Sequence, residues 1–136
     1  MDTEELKRLI AVNAAEIVRL HARVHETARR RGDGAQARGD WDTACAEFHA
    51  RYRHLAFPGG YDGALERIVA GDATSVEAAM CFLELRPYFF RSGYMYKELL
   101  RKIKRAPLSP DQERRLRLVL ERQAAWRAQR VKKNAA

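Results

Sequence analysis

The stretch 75-SVEAAMCFLEL-85 decides how this chain folds. Charge enters it only at Glu77 and Glu84, and its apolar residues fall on two faces when they are placed on a helix at about 100° per residue. One face holds Val76, Met80 and Leu83, and the other holds Ala78, Cys81, Phe82 and Leu85. A helix with two apolar faces needs packing partners on both sides. We therefore predict that it is the central and most buried element of the fold.

Turn and capping signals divide the rest of the chain into five more helices. Arg86-Pro87 ends the central helix, because the residue before a proline avoids helical geometry. Asp2 with Glu5, and Ser109 with Gln112, have the spacing of helix-start capping boxes. The predicted helices cover residues 2–31, 41–54, 62–70, 75–85, 92–105 and 110 to beyond 126. This pattern predicts one all-α domain over residues 1–130, built of stacked antiparallel hairpins, with a disordered basic tail at residues 131–136.

The segment between the first two helices contains a glycine-rich stretch, RGDGAQARGD at residues 31–40, which predicts the loop of a helical hairpin. GDWDTACAEF, residues 39–48, resembles the turn and second-helix opening of a tetratricopeptide repeat. The period of that family does not recur elsewhere in the chain. The resemblance therefore implies only local geometry, with two antiparallel helices joined by a tight loop.

Charge is distributed unevenly along the chain, whose formal net charge is +8. Residues 1–85 hold 11 basic and 14 acidic side chains, whereas residues 86–136 hold 15 basic and 4 acidic ones. A basic block on an otherwise near-neutral domain is typical of a site for phosphate, nucleic acid or an acidic protein. An ordinary solvated, arginine-rich surface has the same composition, and both interpretations stay open.

The basic block opens with RPYFFRSGYMYKELLRKIKR, residues 86–105, which combines aromatic anchors with seven cations. Its helical part places Met95, Tyr96, Leu99, Leu100 and Ile103 on one half and Lys97, Arg101, Lys104 and Arg105 on the other, with Tyr94 within the basic half. We expect Tyr88, Phe89 and Phe90 to be buried against the central helix. If Phe89 or Phe90 is exposed instead, the result is an apolar patch rimmed by cations that suits a protein partner.

These features predict a non-catalytic bacterial module, without a cofactor, that binds an acidic macromolecule through a basic surface at residues 86–130. We expect a protein partner, as for an accessory or immunity-type factor, and the alternative is nucleic acid bound through the same helix, with Tyr94 available to stack on a base. The candidate partner-binding residues are Arg86, Phe89, Phe90, Arg91, Tyr94, Lys97, Arg101, Lys104, Arg105, Arg114 and Arg115.

A metal site is a third hypothesis. His21 and His25 lie four residues apart, the spacing at which two imidazoles on one helix face share a metal ion. In the predicted hairpin, His49 of the second helix lies at a similar height. Three imidazoles there could hold zinc or another borderline metal. The simpler alternative is that hydrogen bonds or water satisfy these side chains.

The remaining signals concern the cellular setting. Arginine outnumbers lysine 20 to 6 and alanine reaches 22, a bias that we associate with a GC-rich bacterial genome. The start, MDTEELKRLI, has neither the charge pattern nor the apolar run of a secretion signal or membrane span. We therefore expect a cytoplasmic protein, with Cys45 and Cys81 reduced.

Overall fold

The computed structural model describes residues 1–135, and within that range the chain forms six α-helices and no strand. The helices are α1 (Thr3–Arg30), α2 (Ala35–Ala56), α3 (Ala64–Ala70), α4 (Ala73–Leu85), α5 (Ser92–Ile103) and α6 (Pro110–Ala135). The all-α class and the number of helices are confirmed. No helix in this part of the chain is both long and apolar enough to cross a membrane.

The central position predicted for the stretch 75–85 is confirmed by α4. Its buried residues are Ser75, Val76, Ala78, Ala79, Met80, Cys81, Phe82 and Leu83. Four helices pack against it, namely α1, α3, α5 and α6. Leu85 is the exception and is partly exposed, because α4 ends there. Each large apolar side chain that is fully buried contributes about 1.5–3 kcal/mol, so the buried side chains of α4 contribute substantially to the stability of the core.

Helix α1 runs parallel to α4 along one side. The Thr3 hydroxyl donates to Glu77 Oε2 at 2.7 Å, and one turn further along α1 Lys7 pairs with Glu84, two turns further along α4, at 3.8 Å. The matching order of these contacts fixes the direction. From there α1 continues into a long hairpin with α2.

On the other side of α4, helix α6 also runs parallel to it. Gln112 Nε2 donates to Glu77 Oε1 at 3.1 Å, and Arg122 near the other end donates to the backbone carbonyl of Glu84 at 3.0 Å. By contrast, α5 runs back antiparallel, since Pro107, just after it, lies against Gly71, just before α4. A Cβ at Gly71 would lie 2.8 Å from Pro107 Cγ, so this close approach requires glycine.

The turn of the α1–α2 hairpin is shorter than predicted. Helix α2 begins at Ala35 and includes Gly39, so the loop occupies only residues 31–34. Alanine and glutamine at 35–37 are strong helix formers, and Gly34, with φ at 128°, already supplies the turn. Residues 39–48 therefore lie inside α2. The hairpin implied by the tetratricopeptide resemblance is present, but those residues do not form its turn.

The structure confirms the predicted helix starts at both ends of the chain. The third helix, predicted from residue 62, begins later. The Asp2 carboxylate accepts from the Glu5 N–H at 2.8 Å, and Ser109 and Gln112 form a reciprocal capping box. Asp62 does not cap α3, which begins at Ala64. Its carboxylate pairs with Arg53 of α2 instead.

The C-terminal tail also differs from the sequence prediction. Instead of a disordered tail beginning at residue 131, α6 continues through Ala135, with all side chains from Ala124 to Ala135 exposed. The last residue of the predicted tail, Ala136, lies outside the described residues.

An ion cluster joins α4 to α6 beside the core. Arg115, whose side chain is 12% exposed, donates to Glu77 Oε1 at 2.9 Å and to Glu84 Oε1 at 2.6 Å. Burial alone raises the pKa of Glu77, but hydrogen bonds from Arg115, Thr3 and Gln112 outweigh it and lower that pKa to about 2. The same site buries the Cys81 thiol, which raises its pKa to about 11. Both cysteines are free thiols, as expected.

We predict that Arg115→Met lowers the free energy of unfolding by about 2–4 kcal/mol at pH 7, because it removes the cation that two half-buried carboxylates share. Arg114→Met is the matched control, since Arg114 is exposed and pairs only with Asp111; its effect should stay below about 0.5 kcal/mol. The depressed pKa of Glu77 stabilises the fold above pH 4.5 and this contribution is lost as pH falls toward 2. Urea unfolding at several pH values should therefore show the Arg115→Met difference shrinking on acidification; a constant difference would contradict this assignment.

Candidate binding groove

The loop between α4 and α5, residues 86–91, exposes two of its three aromatic side chains. Tyr88 is 89% exposed and Phe90 is 41% exposed, whereas Phe89 is only 5% exposed. The Phe89 ring packs against Phe82 of α4 with centroids 6.2 Å apart. The expectation that all three are buried is therefore correct only for Phe89, because consecutive side chains of an irregular loop cannot all face one helix.

Hydrogen bonds hold this loop in place. The Tyr52 hydroxyl of α2 donates to the Phe90 carbonyl at 2.6 Å. The Phe89 N–H donates to Ser92 Oγ at 3.1 Å, and the Ser92 N–H donates back to the Phe89 carbonyl at 2.9 Å. Ser92 is the first residue of α5, and its hydroxyl organises the loop that precedes the helix. A loop restrained in this way loses little conformational entropy when a ligand binds.

Both ends of the loop carry backbone strain. Arg86 has φ at 47° and Arg91 has φ at 66°, and these are the only non-glycine residues with positive φ in the described chain. An L-residue in this left-handed region costs about 1–2 kcal/mol. Such strain is concentrated at binding and catalytic sites, where it fixes a geometry that a relaxed chain would not adopt.

The two strained arginines also lie beside aromatic rings. The Arg86 guanidinium lies over Tyr96 at 4.7 Å and over Trp126 of α6 at 5.3 Å from the ring centroids. Arg91 lies over the Phe90 ring at 5.3 Å. Cation–π contacts of this kind hold each guanidinium in place while it stays exposed to solvent.

A groove of about 740 Å³ lies between this loop, the start of α5 and the middle of α1. Its lining includes Val18, His21, Arg86, Tyr88, Tyr94 and Lys97. A second cleft, of about 380 Å³, adjoins it and reaches Tyr52 and Arg53 of α2. Arg91 and Tyr94 line both clefts, so together they form the ridge between two neighbouring depressions. We call the two clefts together the binding groove.

The binding groove is rich in cations. Arg86, Arg91 and Lys97 form no ion pair with any carboxylate in residues 1–135. Glu98, in the second cleft, accepts a hydrogen bond from the Tyr61 hydroxyl at 2.8 Å. Burial and this hydrogen bond raise the pKa of Tyr61. Anionic groups of a ligand therefore meet cations that need not first break an internal ion pair.

The amphipathic character predicted for α5 is confirmed. Its predicted apolar residues, Met95, Tyr96, Leu99, Leu100 and Ile103, are all buried. Tyr94 is 70% exposed, and the cationic side chains beside it are exposed. None of these, Lys97, Arg101, Lys104 and Arg105, pairs with a carboxylate in the described part of the chain.

The two candidate residues on α6, Arg114 and Arg115, do not line the binding groove. Arg115 lies in the ion cluster with Glu77 and Glu84, and Arg114 pairs with Asp111 on its own helix at 2.6 Å. The reason is that α6 packs along α4 and not along α5. The candidate set is thereby reduced to the loop and α5, with Phe89 as a buried anchor and not a contact residue.

The histidines are only partly brought together. His25 Nε2 lies 3.3 Å from His21 Nε2, and the His21 ring stacks on Phe90 with centroids 4.8 Å apart. Burial, followed by the charge of His25, lowers the pKa of His21. His49 does not join them, since no group of three or more His, Cys, Asp or Glu side chains within residues 1–135 could hold a metal ion. The predicted three-histidine site is not formed.

Several groove residues were not identified from the sequence. Val18 and Tyr52 come from helices that are distant in sequence, and only the tertiary packing brings them to the loop. No local sequence signal marks either residue, because each reaches the loop only through the packing of its helix.

We predict that Arg91→Gly raises the free energy of unfolding by about 0.5–1 kcal/mol, since glycine adopts the left-handed conformation without steric cost. The same change at Arg101, inside α5, should instead lower it by about 1 kcal/mol. Urea unfolding of both variants measures these effects. Destabilisation of equal size at the two positions would mean that Arg91 stores no strain.

Comparison with models of protein families, with curated proteins and with solved structures finds no significant match to this chain. The case for a function therefore rests on the chemistry of the binding groove. That chemistry consists of exposed aromatic rings on a restrained loop, among cations without acidic partners.

Proposed function

We propose that this chain is a non-catalytic binding module that recognises an acidic segment of another protein through the binding groove. The observation that carries the proposal is the pairing of Tyr88 and Tyr94, both largely exposed, with unpaired cations around a loop that is held in place by Tyr52. Large exposed aromatic residues are costly unless a partner covers them.

The composition of the groove is that of a protein interface. Tyrosine and arginine are among the residues most enriched in interface hot spots. Tyrosine buries a large surface with few rotatable bonds, and arginine offers several hydrogen-bond donors. Arg86 and Arg91 can each form bidentate hydrogen bonds to a carboxylate. Tyr88 and Phe90 supply the apolar contact area beside them.

The shape of the groove favours an extended segment as the ligand. Two clefts share the ridge formed by Arg91 and Tyr94, so a chain crossing that ridge places side chains in both. Its acidic groups would meet Arg86 and Lys97 in the larger cleft and Arg91 on the ridge between the clefts. An acidic peptide with one or two apolar residues between its carboxylates has the complementary chemistry.

A defined peptide array tests this proposal. Ten-residue peptides rich in Asp and Glu, with and without a central Leu or Phe, would be compared with basic and neutral peptides of equal length. We expect binding that needs both the acidic and the apolar residues. Binding that depends on charge alone, or no binding to any acidic peptide, would contradict the proposal.

Variants assign the binding to the groove. We predict that Tyr88→Ala with Tyr94→Ala weakens the best peptide at least about tenfold, as for hot-spot aromatics, and that Arg91→Ala with Lys97→Ala does the same. Arg8→Ala with Arg23→Ala removes the same charge from exposed positions of α1 and is the matched control. Fluorescence anisotropy measures the affinities. If the control variant loses as much affinity as the groove variants, the binding reflects net charge and the groove is not the site.

The unpaired cations along α5 support a second candidate, single-stranded nucleic acid. Lys97, Arg101 and Lys104 could follow a phosphate backbone, and the exposed Tyr94 ring offers a surface for base stacking. With Arg105, four phosphate contacts give a slope of about −3 in log affinity against log salt concentration. Binding of a fluorescent oligothymidylate at several salt concentrations measures that slope. Affinity for the acidic peptide with none for the oligonucleotide at low salt would eliminate this candidate.

A further inference from the structure

The His21–His25 pair has a geometry that the binding groove does not explain. The two Nε2 atoms face one another 3.3 Å apart on α1. Metal–nitrogen bonds of about 2.0–2.1 Å at a tetrahedral angle of about 109° place two imidazole nitrogens about 3.3–3.4 Å apart. The side chains are therefore already at the separation that a tetrahedral ion such as zinc(II) requires. The roughly 90° angle of copper(II) or nickel(II) needs about 2.8–3.0 Å, a small movement of the exposed His25 ring.

Packing fixes one member of the pair. The His21 ring stacks on Phe90 at 4.8 Å and lies 5.5 Å from the Phe48 ring, so its orientation is set before any ion arrives. His25 is exposed, which leaves a path from solvent to the space between the two nitrogens.

We propose that His21 and His25 form a two-histidine chelate for a borderline divalent cation, namely copper(II), nickel(II) or zinc(II). Water fills the remaining coordination positions, since no third His, Cys, Asp or Glu within residues 1–135 converges on the pair. Without metal, the same 3.3 Å separation fits an N–H···N hydrogen bond between the rings. When the ion binds, the donor ring loses its Nε2 proton and gains one at Nδ1 by exchange with solvent, so that both rings stay neutral and no net proton is released. The proposal is independent of the function proposed for the groove.

The first test measures metal binding with each ion supplied alone as its chloride. Isothermal titration calorimetry of the reduced full chain should give one ion per chain, with copper(II) bound most tightly. His25→Ala should weaken binding at least tenfold. His49→Ala is the matched control, since His49 is exposed on the neighbouring helix and outside the pair; its affinity should equal that of the unaltered chain.

Circular dichroism shows whether the variants fold; we expect that His25→Ala does, because position 25 is exposed and alanine is a strong helix former. Nuclear magnetic resonance of the imidazole nitrogens provides an independent readout: zinc should shift Nε2 of both His21 and His25 and of no other histidine. Absence of binding, equal binding by His25→Ala, or an equal loss in His49→Ala would each overturn the proposal. The affinity of His25→Ala for the acidic peptide distinguishes failure of the metal proposal from failure of the groove proposal. Loss of the metal site should leave peptide binding to the groove unchanged.

Discussion

The burial of α4 is the constraint on which the other elements depend. A helix with apolar residues on two faces cannot lie at the surface of a domain, so α1 and α6 pack beside it while α3 and α5 also pack against it. Glu77 is the polar exception that makes this arrangement specific. Its carboxylate accepts hydrogen bonds from Thr3 of α1 and from Gln112 and Arg115 of α6, which aligns both long helices parallel to α4.

The position of the binding groove follows from the end of α4. The helix must stop before Pro87, and Arg86 enters the left-handed conformation to turn the chain toward α5. Phe89 then enters the core, and this single anchor leaves Tyr88 and Phe90 on either side of it outside. Exposed aromatics here are therefore a direct result of a short connection between two buried helices, and Tyr52 of α2 makes the result rigid.

The arginines divide into two groups with different consequences. Arg115 and Arg122 are used within the molecule, where they bind carboxylates or helix-terminal carbonyls and so join α6 to α4. Arg91 and Arg101 have no acidic partner in the described residues, and they lie on the loop and on α5. Net charge does not distinguish the groups. The group without acidic partners is the one that can contribute to recognition, and it has fewer members than the basic composition of residues 86–136 implies.

Local sequence signals determined the helical class, the central role of α4, the amphipathic face of α5 and the helix caps at Asp2 and Ser109, because each depends on side chains within a few residues of one another. They could not determine which of Tyr88, Phe89 and Phe90 is buried, or that Arg115 is enclosed by Glu77 and Glu84. Those outcomes depend on the direction in which α6 and the loop pack against α4. Only the tertiary structure decides them, since the carboxylate partners of Arg115 are more than 30 residues away and solvent exposure is a property of the whole packed molecule.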